Sequence, residues 1–335
     1  MSARRDTRRL LADVPADLDE AAALLLAGKL VAFPTETVYG LGADGLRPEA
    51  VGRIFAAKGR PADNPLILHV ASFDQAQTLW AANDDQRALA RALADRFWPG
   101  PLTLVLPAAD VVPSVVTAGL PTVAVRAPDH DVAQALIARC GRPLAAPSAN
   151  RSGRPSPTSA EHVVRTLDGR IDAVLDGGPT AVGVESTVLD LSRERPQVLR
   201  PGDVSAAMLK DALQPLGVAL EEGAVPDDAA SPGIRHRHYA PRSLAVSIVD
   251  AEALAGAWAS SAAVLCRKST ADRLGPRDAP TEVLPDDERG FARELYAALY
   301  RLEQSGAKVL LIEQVPRSSS WGAVADRLRR AAGDA

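Results

Sequence analysis

Short apolar runs, most of them ending in polar or cationic residues, alternate with amphipathic stretches along this chain. That alternation restricts the fold more than any other feature. The longest uninterrupted apolar run, Ala21 to Ala27, falls far short of the roughly 20 residues a membrane-spanning helix needs. The runs have the length of buried strands and the amphipathic stretches the spacing of helices, the signature of an α/β protein. The first pattern starts with a helix over Asp17 to Ala27, with Asp17 as N-cap and Gly28 as stop. Leu30 to Phe33 is a strand that enters a polar loop, Pro34-Thr35-Glu36-Thr37. Pro48 suits a first helical position, and Val51, Ile54 and Phe55 carry that helix to Lys58-Gly59. Leu66 to Val70, Leu102 to Leu106, Thr122 to Arg126 and Ser186 to Leu191 read as strands. Thr158 to Glu161 reads as a capping box, and Asp176 to Gly183 as a glycine-rich turn.

The pattern breaks between Gly202 and Pro241. After a helix near Ser205 to Leu213 comes an acidic, Gly- and Pro-containing stretch that reads as a connection. From Leu244 the alternation resumes. Ala245 to Val249, Ala263 to Cys266 and Val309 to Ile312 are strand candidates, and Glu288 to Gln304 and Trp321 to Ala332 are helix candidates. The expected organisation is a first domain over 14–202, a linker over 203–241 and a smaller α/β domain over 242–335. A chain of 335 residues with 47% hydrophobic content can fill two such cores. Its net charge of −4 argues against a bulk nucleic-acid coat. Two cysteines without CxxC spacing, Cys140 and Cys266, speak for reduced thiols and a cytoplasmic setting. Arg4, Arg5, Arg8 and Arg9 precede no apolar signal core and read as a solvated tail.

Four clusters cut polar and cationic residues into the apolar pattern. They are Pro34 to Gly40; Lys58 to Pro61 with Asn64-Pro65-Leu66 and His69; Thr122 to Arg126 with Pro147-Ser148-Ala149-Asn150, Ser152-Gly153 and Ser156-Pro157-Thr158; and Glu185-Ser186-Thr187 with Leu199 to Gly202. Each piece alone has an ordinary explanation. Lys58 and Arg60 sit where a helix dipole favours cations. Arg126 and Arg200 could be surface arginines. Ser148, Asn150 and Asn64 could shape turns. His69 could be a core histidine, and Tyr239 a packing anchor. Gly40 to Gly45 matches GxGxxG, but it does not run directly from a strand into a helix, as a dinucleotide site requires. No GxxxxGK[ST] loop occurs, and His236 with His238 makes a weak metal case.

Together and in this order, the clusters closely resemble the YrdC-like family of threonylcarbamoyl-AMP synthases over roughly residues 14 to 202. Ser231-Pro232-Gly233 and His238-Tyr239-Ala240-Pro241 resemble the linker of its longer, two-domain members. The resemblance implies a twisted open sheet with helices, followed by a Rossmann-like α/β domain. It implies condensation of L-threonine, bicarbonate or CO2, and ATP into an adenylate used to modify tRNA, with Mg2+ accompanying ATP. By resemblance, Thr37, His69, Arg126, Ala146 and Ser186 surround threonine. Lys58, Arg60, Asn64, Thr122, Ser148, Ser156, Arg200 and Tyr239 surround ATP, with Lys58 and Arg60 nearest the chemistry. The product would pass to a tRNA threonylcarbamoyl transferase, with at most weak direct RNA binding and no membrane association. The stretches Ile234 to Arg237 and Ser318 to Gly322 depart from the family pattern. Three rivals remain at this point. One is a non-catalytic RNA-binding module. Another is a carbamoyl transferase, which would need zinc-finger and acylphosphatase-like parts, and the third is a pure regulator with the second domain as sensor.

Overall fold

The computed structural model describes residues 6–221 and 239–333. Arg4, Arg5 and residues 222–238 of the expected linker, His236 and His238 among them, therefore lie outside the described residues. By its contacts the chain divides into two compact units. The first holds the chain up to Ser152, Pro157–Thr180 and the stretch from Glu185; the second holds Gly153–Ser156, Ala181–Val184 and the chain from Tyr239.

The first unit is built on ten strands: β1 (Arg8–Leu11), β2 (Val31–Phe33), β3 (Gly40–Asp44), β4 (Ile67–His69), β5 (Leu102–Pro107), β6 (Thr122–Arg126), β7 (Leu144–Ala145), β8 (Ala173–Asp176), β9 (Thr187–Asp190) and β10 (Gln197–Arg200). They form one mixed sheet in the order β1-β8-β2-β3-β7-β4-β6-β5-β9-β10. Its helices are α1 (Pro15–Leu26), α2 (Pro48–Lys58), α3 (Phe73–Gln77), α4 (Asp84–Phe97), α5 (Ser114–Thr117), α6 (Asp131–Cys140), α7 (Ala160–Leu167) and α8 (Ala206–Leu213).

Side chains alternate between the two faces of a strand, so each face can be followed through the burial pattern. One face is covered by the main core. There Leu68, Leu104, Val123, Val125 and Leu189 meet Ile54 of α2, Leu93 of α4, Val163 of α7 and Leu209 of α8. On the opposite face, Val31, Phe33, Leu144 and Leu175 pack under Leu25 of α1 and Ile137 of α6. Further along that second face, Ile67, Ala124, Val105, Val188 and Leu199 form a smaller cluster that contains no helix residue. His69, Thr122 and Arg126 project from the strands of this stretch.

The second unit is a four-stranded sheet of β11 (Ala245–Val249), β12 (Ala263–Arg267), β13 (Thr281–Leu284) and β14 (Val309–Glu313), ordered β11-β14-β12-β13 with every pairing parallel. Its helices are α9 (Ala251–Gly256), α10 (Lys268–Leu274), α11 (Glu288–Gln304) and α12 (Gly322–Ala332). Leu254, Val264 and Cys266 make a core cluster beside Ala271. Asp287 caps α11 by accepting from Gly290 N. Trp321, in the stretch that departs from the family pattern, is buried edge-on to Phe291.

Several local expectations change. The arginine-rich start is not all solvated tail, because Arg8–Leu11 pairs in parallel with β8. Arg9 bonds Asp176 at 2.6 Å and Glu161 at 2.7 Å. That partner strand lies far along the chain, so local composition does not reveal it. Helix α1 starts at Pro15 rather than beyond Asp17, whose carboxylate instead accepts from Leu11 N. Ser159, not Thr158, caps α7. Gly40–Asp44, within the GxGxxG match, is a strand. A Cβ at Gly42 would lie 2.8 Å from the Phe33 ring, so the glycine makes room for that ring.

Candidate active site

Strand pairing places the first cluster. β4 and β6 run parallel with His69 opposite Arg126. Ile67, His69, Thr122, Ala124 and Arg126 share one face by period-two alternation. Thr122 and Arg126 are four residues apart, about 13 Å along that face. Arg126 is 3% exposed, which removes the surface-arginine reading. Its Nε donates to Gly100 O at 3.1 Å, and its Nη1 to Thr37 Oγ1 at 2.9 Å. Its Nη2 lies 2.5 Å from Glu36 Oε2, a close ion pair without hydrogen-bond alignment. Thr37 is held by its turn: Thr35 Oγ1 lies 2.8 Å from Thr37 Oγ1 and donates to Val38 O.

His69 is buried edge-on to Phe33. Burial first, then the neighbouring Arg126 charge, pushes its pKa down to about 3, so the ring is neutral. Its Nδ1 has no hydrogen-bond partner among the described residues. Ala146 follows β7, and its N–H is used by Ile67 O at 3.0 Å.

A second group gathers where β5, β9 and β10 meet. Ser186 Oγ lies 2.8 Å from Thr103 Oγ1. Arg200, at the end of β10 and 4% exposed, donates through Nε and Nη2 to Ser186 O and through Nη2 to Ser186 Oγ.

The third group lies at the end of α2. Gly59 takes the left-handed conformation that stops the helix. Lys58 is buried, and its ammonium donates to Ser148 O and to Asn150 O, the latter at 2.6 Å. Burial first, and then Arg60, holds its pKa well below the usual lysine range, with Glu185 opposing. The side chain thus fastens the Pro147–Asn150 loop to α2. Half-buried Arg60 donates Nη2 to Pro65 O at 3.1 Å, beside the fully buried Asn64.

Of the residues named from sequence, Thr37, His69 and Arg126 thus form one cluster, Ser186 and Arg200 another, and Lys58 and Ser148 a third. Arg60 and Asn64 follow Lys58 in the chain, and half-buried Thr122 stands at the far end of β6 from Arg126. Ser156 and Tyr239 belong to the second unit. Tyr239 is buried there with its ring stacked on Tyr296 at 5.7 Å and Arg327 over its face. Sequence reasoning did not single out Glu36, Gly100 or Thr103. Thr103 was accessible to it, because alternation along Leu102–Pro107 puts that polar residue on the face of Val105. Among the described residues, no group of three or more His, Cys, Asp or Glu is placed to hold a metal ion.

A mixed α/β sheet with buried guanidinium and hydroxyl groups on one face, and a buried lysine at the end of α2, defines a class of site suited to anionic small molecules. Comparison with known proteins is sharper. The family model described as "Telomere recombination" matches residues 23–202, and the one described as "Threonylcarbamoyl-AMP synthase, C-terminal domain" matches 204–333. The threonylcarbamoyl-AMP synthase of Pyrococcus abyssi is 46% identical over 324 residues, 93% of each chain. That of Bacillus subtilis is 49% identical over 243 residues, 70% of this chain and 69% of its own. The crystal structure of P. abyssi Sua5 complexed with L-threonine superposes with a TM-score of 0.87 at 42% identity, covering 98% of each chain. The chain belongs to the threonylcarbamoyl-AMP synthase family, in its long two-domain form.

Proposed function

We propose that this protein condenses L-threonine, bicarbonate or CO2, and ATP into threonylcarbamoyl-AMP and pyrophosphate, which supplies the threonylcarbamoyl group for tRNA modification. The carrying observation is the buried Arg126, held between Gly100 and Thr37 and beside a neutral His69. A rigid buried guanidinium is suited to a substrate carboxylate. Its setting in a chain 46% identical to the synthase of P. abyssi supports threonine as that substrate.

The reaction brings together a carboxylate, a carbamate and a triphosphate. The threonine amine captures CO2, a carbamate oxygen attacks the α-phosphate, and pyrophosphate leaves. Attack and departure occur at phosphorus, so no covalent enzyme intermediate is needed. Arg126 and Thr37 orient the threonine carboxylate, with His69, Ser186 and the Ala146 backbone around it. Arg60, Asn64, Thr122, Ser148 and Arg200 receive the nucleotide. Lys58 positions Ser148 through the loop it fastens. Mg2+ entering with ATP would supply charge neutralisation at the phosphates. The enzyme is thus a nucleotidyltransferase acting in the cytoplasm, and its product goes to a tRNA threonylcarbamoyl transferase.

Incubation with ATP, threonine and bicarbonate should yield pyrophosphate and the adenylate, and omission of threonine should suppress most of the pyrophosphate. Equal pyrophosphate release without threonine would overturn the reading.

A further inference from the structure

Glu36 has no part in the roles given above, yet it sits at their centre. It follows Thr35 in the loop between β2 and β3 and is 6% exposed. Neither carboxylate oxygen makes a hydrogen bond among the described residues. Its closest charged contact is Arg126 Nη2, 2.5 Å from Oε2, and that nitrogen is likewise without an aligned hydrogen bond. The other guanidinium nitrogens are in use, Nε on Gly100 O and Nη1 on Thr37 Oγ1. A carboxylate and a guanidinium therefore lie side by side, each with unused hydrogen-bonding capacity. Buried polar groups normally fill that capacity, because leaving it empty is costly.

An α-amino acid presents the complementary pair, a carboxylate next to an ammonium. Its carboxylate on Arg126 alone would set two negative groups around one guanidinium. With its ammonium on Glu36, the four charges alternate in sign and sum to zero. A hydroxy acid of the same shape lacks the positive group and leaves the Glu36 charge uncompensated.

We infer that Glu36 accepts the α-ammonium of the bound substrate and thereby selects the amino acid over the corresponding hydroxy acid. This inference rests on the threonine reading of the Arg126 site. It makes Glu36 a binding residue of the same pocket, recognising the second pole of the zwitterion.

Calorimetric titration of the full-length protein with L-threonine and with 2,3-dihydroxybutyrate of matching configuration tests it. Wild type should bind threonine at least about tenfold more tightly, the scale of a charge-assisted hydrogen bond. Glu36→Gln should lose roughly ten- to hundredfold in threonine affinity while its affinity for the hydroxy acid stays the same or improves. Equal affinity of wild type for the two ligands overturns the inference without any variant. Equal weakening of both ligands by Glu36→Gln also overturns it, because Glu36 would then only prop Arg126. Absence of any threonine binding to wild type would remove the substrate reading and this inference with it.

Discussion

His69 and Arg126 stand opposite each other in paired parallel strands, and the arginine charge helps to keep the histidine neutral. The pairing sets their distance, and the shared face sets their common direction. Burial does most of the work on the histidine; Arg126 adds to it in the same sense. A carboxylate ligand would thus meet a fixed positive charge flanked by a neutral ring.

The neutral state of His69 carries a pH signature. Its folded pKa, about 3, lies below the ordinary value of 6.5. Between those values the unfolded chain binds the extra proton and the folded protein does not. Stability therefore rises with pH across that window and is lost as pH falls from about 6.5 toward 3, by up to about 1.4 kcal/mol per pH unit for one such group. Half-buried His130, also lowered mainly by burial, contributes in the same direction. Urea unfolding of wild type and His69→Gln at pH 7.5, 6 and 4.5 checks this. The variant should show the shallower loss toward acid; identical slopes would mean that His69 does not titrate this way.

Substitutions at Arg126 separate stability from substrate recognition. Arg126→Ala leaves Glu36 buried beside no cation, and breaking a buried pair in this way costs about 3–5 kcal/mol. Arg126→Lys keeps a charge but loses the fork that spans Gly100 O and Thr37. The lysine variant should therefore melt closer to wild type, yet lose about ten- to hundredfold in kcat/KM for threonine. ATP affinity measured without threonine should stay near the wild-type value. An equal loss for both substrates would indicate general damage to the fold around β6.

How much of this was legible in the sequence depends on whether the governing interaction is local. Helix α2 is, because Pro48 opens it and Gly59 closes it. Strand β6 runs from Thr122 to Arg126, as its β-branched residues suggest. β1 is not local, since it exists through pairing with residues 173–176. Nor is β3, whose Gly42 looks like a turn residue until Phe33 is seen lying over it. The site behaves in the same way. The four clusters marked where polar residues interrupt the pattern, but Glu36 looked like one more loop residue. Its closeness to Arg126 follows only from the sheet order β2-β3-β7-β4-β6.

Lys58 poses a choice that apo stability decides. If it serves only to meet phosphate, removing its ammonium should not affect the unliganded protein. In the structure that ammonium holds the carbonyls of Ser148 and Asn150. Lys58→Met keeps the aliphatic stem and strands both acceptors, at about 1–3 kcal/mol for each buried group left unsatisfied, offset in part by relief of a buried charge. Denaturant unfolding without ligand should show a net loss of roughly 2 kcal/mol, and adenylate formation should fall with it. Unchanged apo stability would leave Lys58 with a phosphate role alone.

The second unit offers an independent test at Glu303. Its carboxylate accepts from Arg154 Nη2 at 2.5 Å and from Arg242 N at 2.6 Å, and its side chain is 7% exposed. Nearby, Tyr300 Oη donates to Pro155 O at 2.8 Å, and Ala240 N to Gly153 O at 3.0 Å. These bonds tie Gly153–Ser156 into the second unit. Glu303→Gln preserves the shape but replaces a charge-assisted contact with a neutral one, and its amide nitrogen cannot accept a bond. The expected cost is about 1–3 kcal/mol, since Arg154 is only partly exposed and solvent screens it incompletely. Hydrogen exchange at Gly153 and Arg154 should quicken, while exchange along α11 between Phe291 and Leu299 should change little. Tyr300→Phe should act on the same segment more weakly, because it removes one neutral hydrogen bond. If exchange at Gly153 and Arg154 is unaffected by Glu303→Gln, the Arg154–Glu303 pair is not what orders that segment.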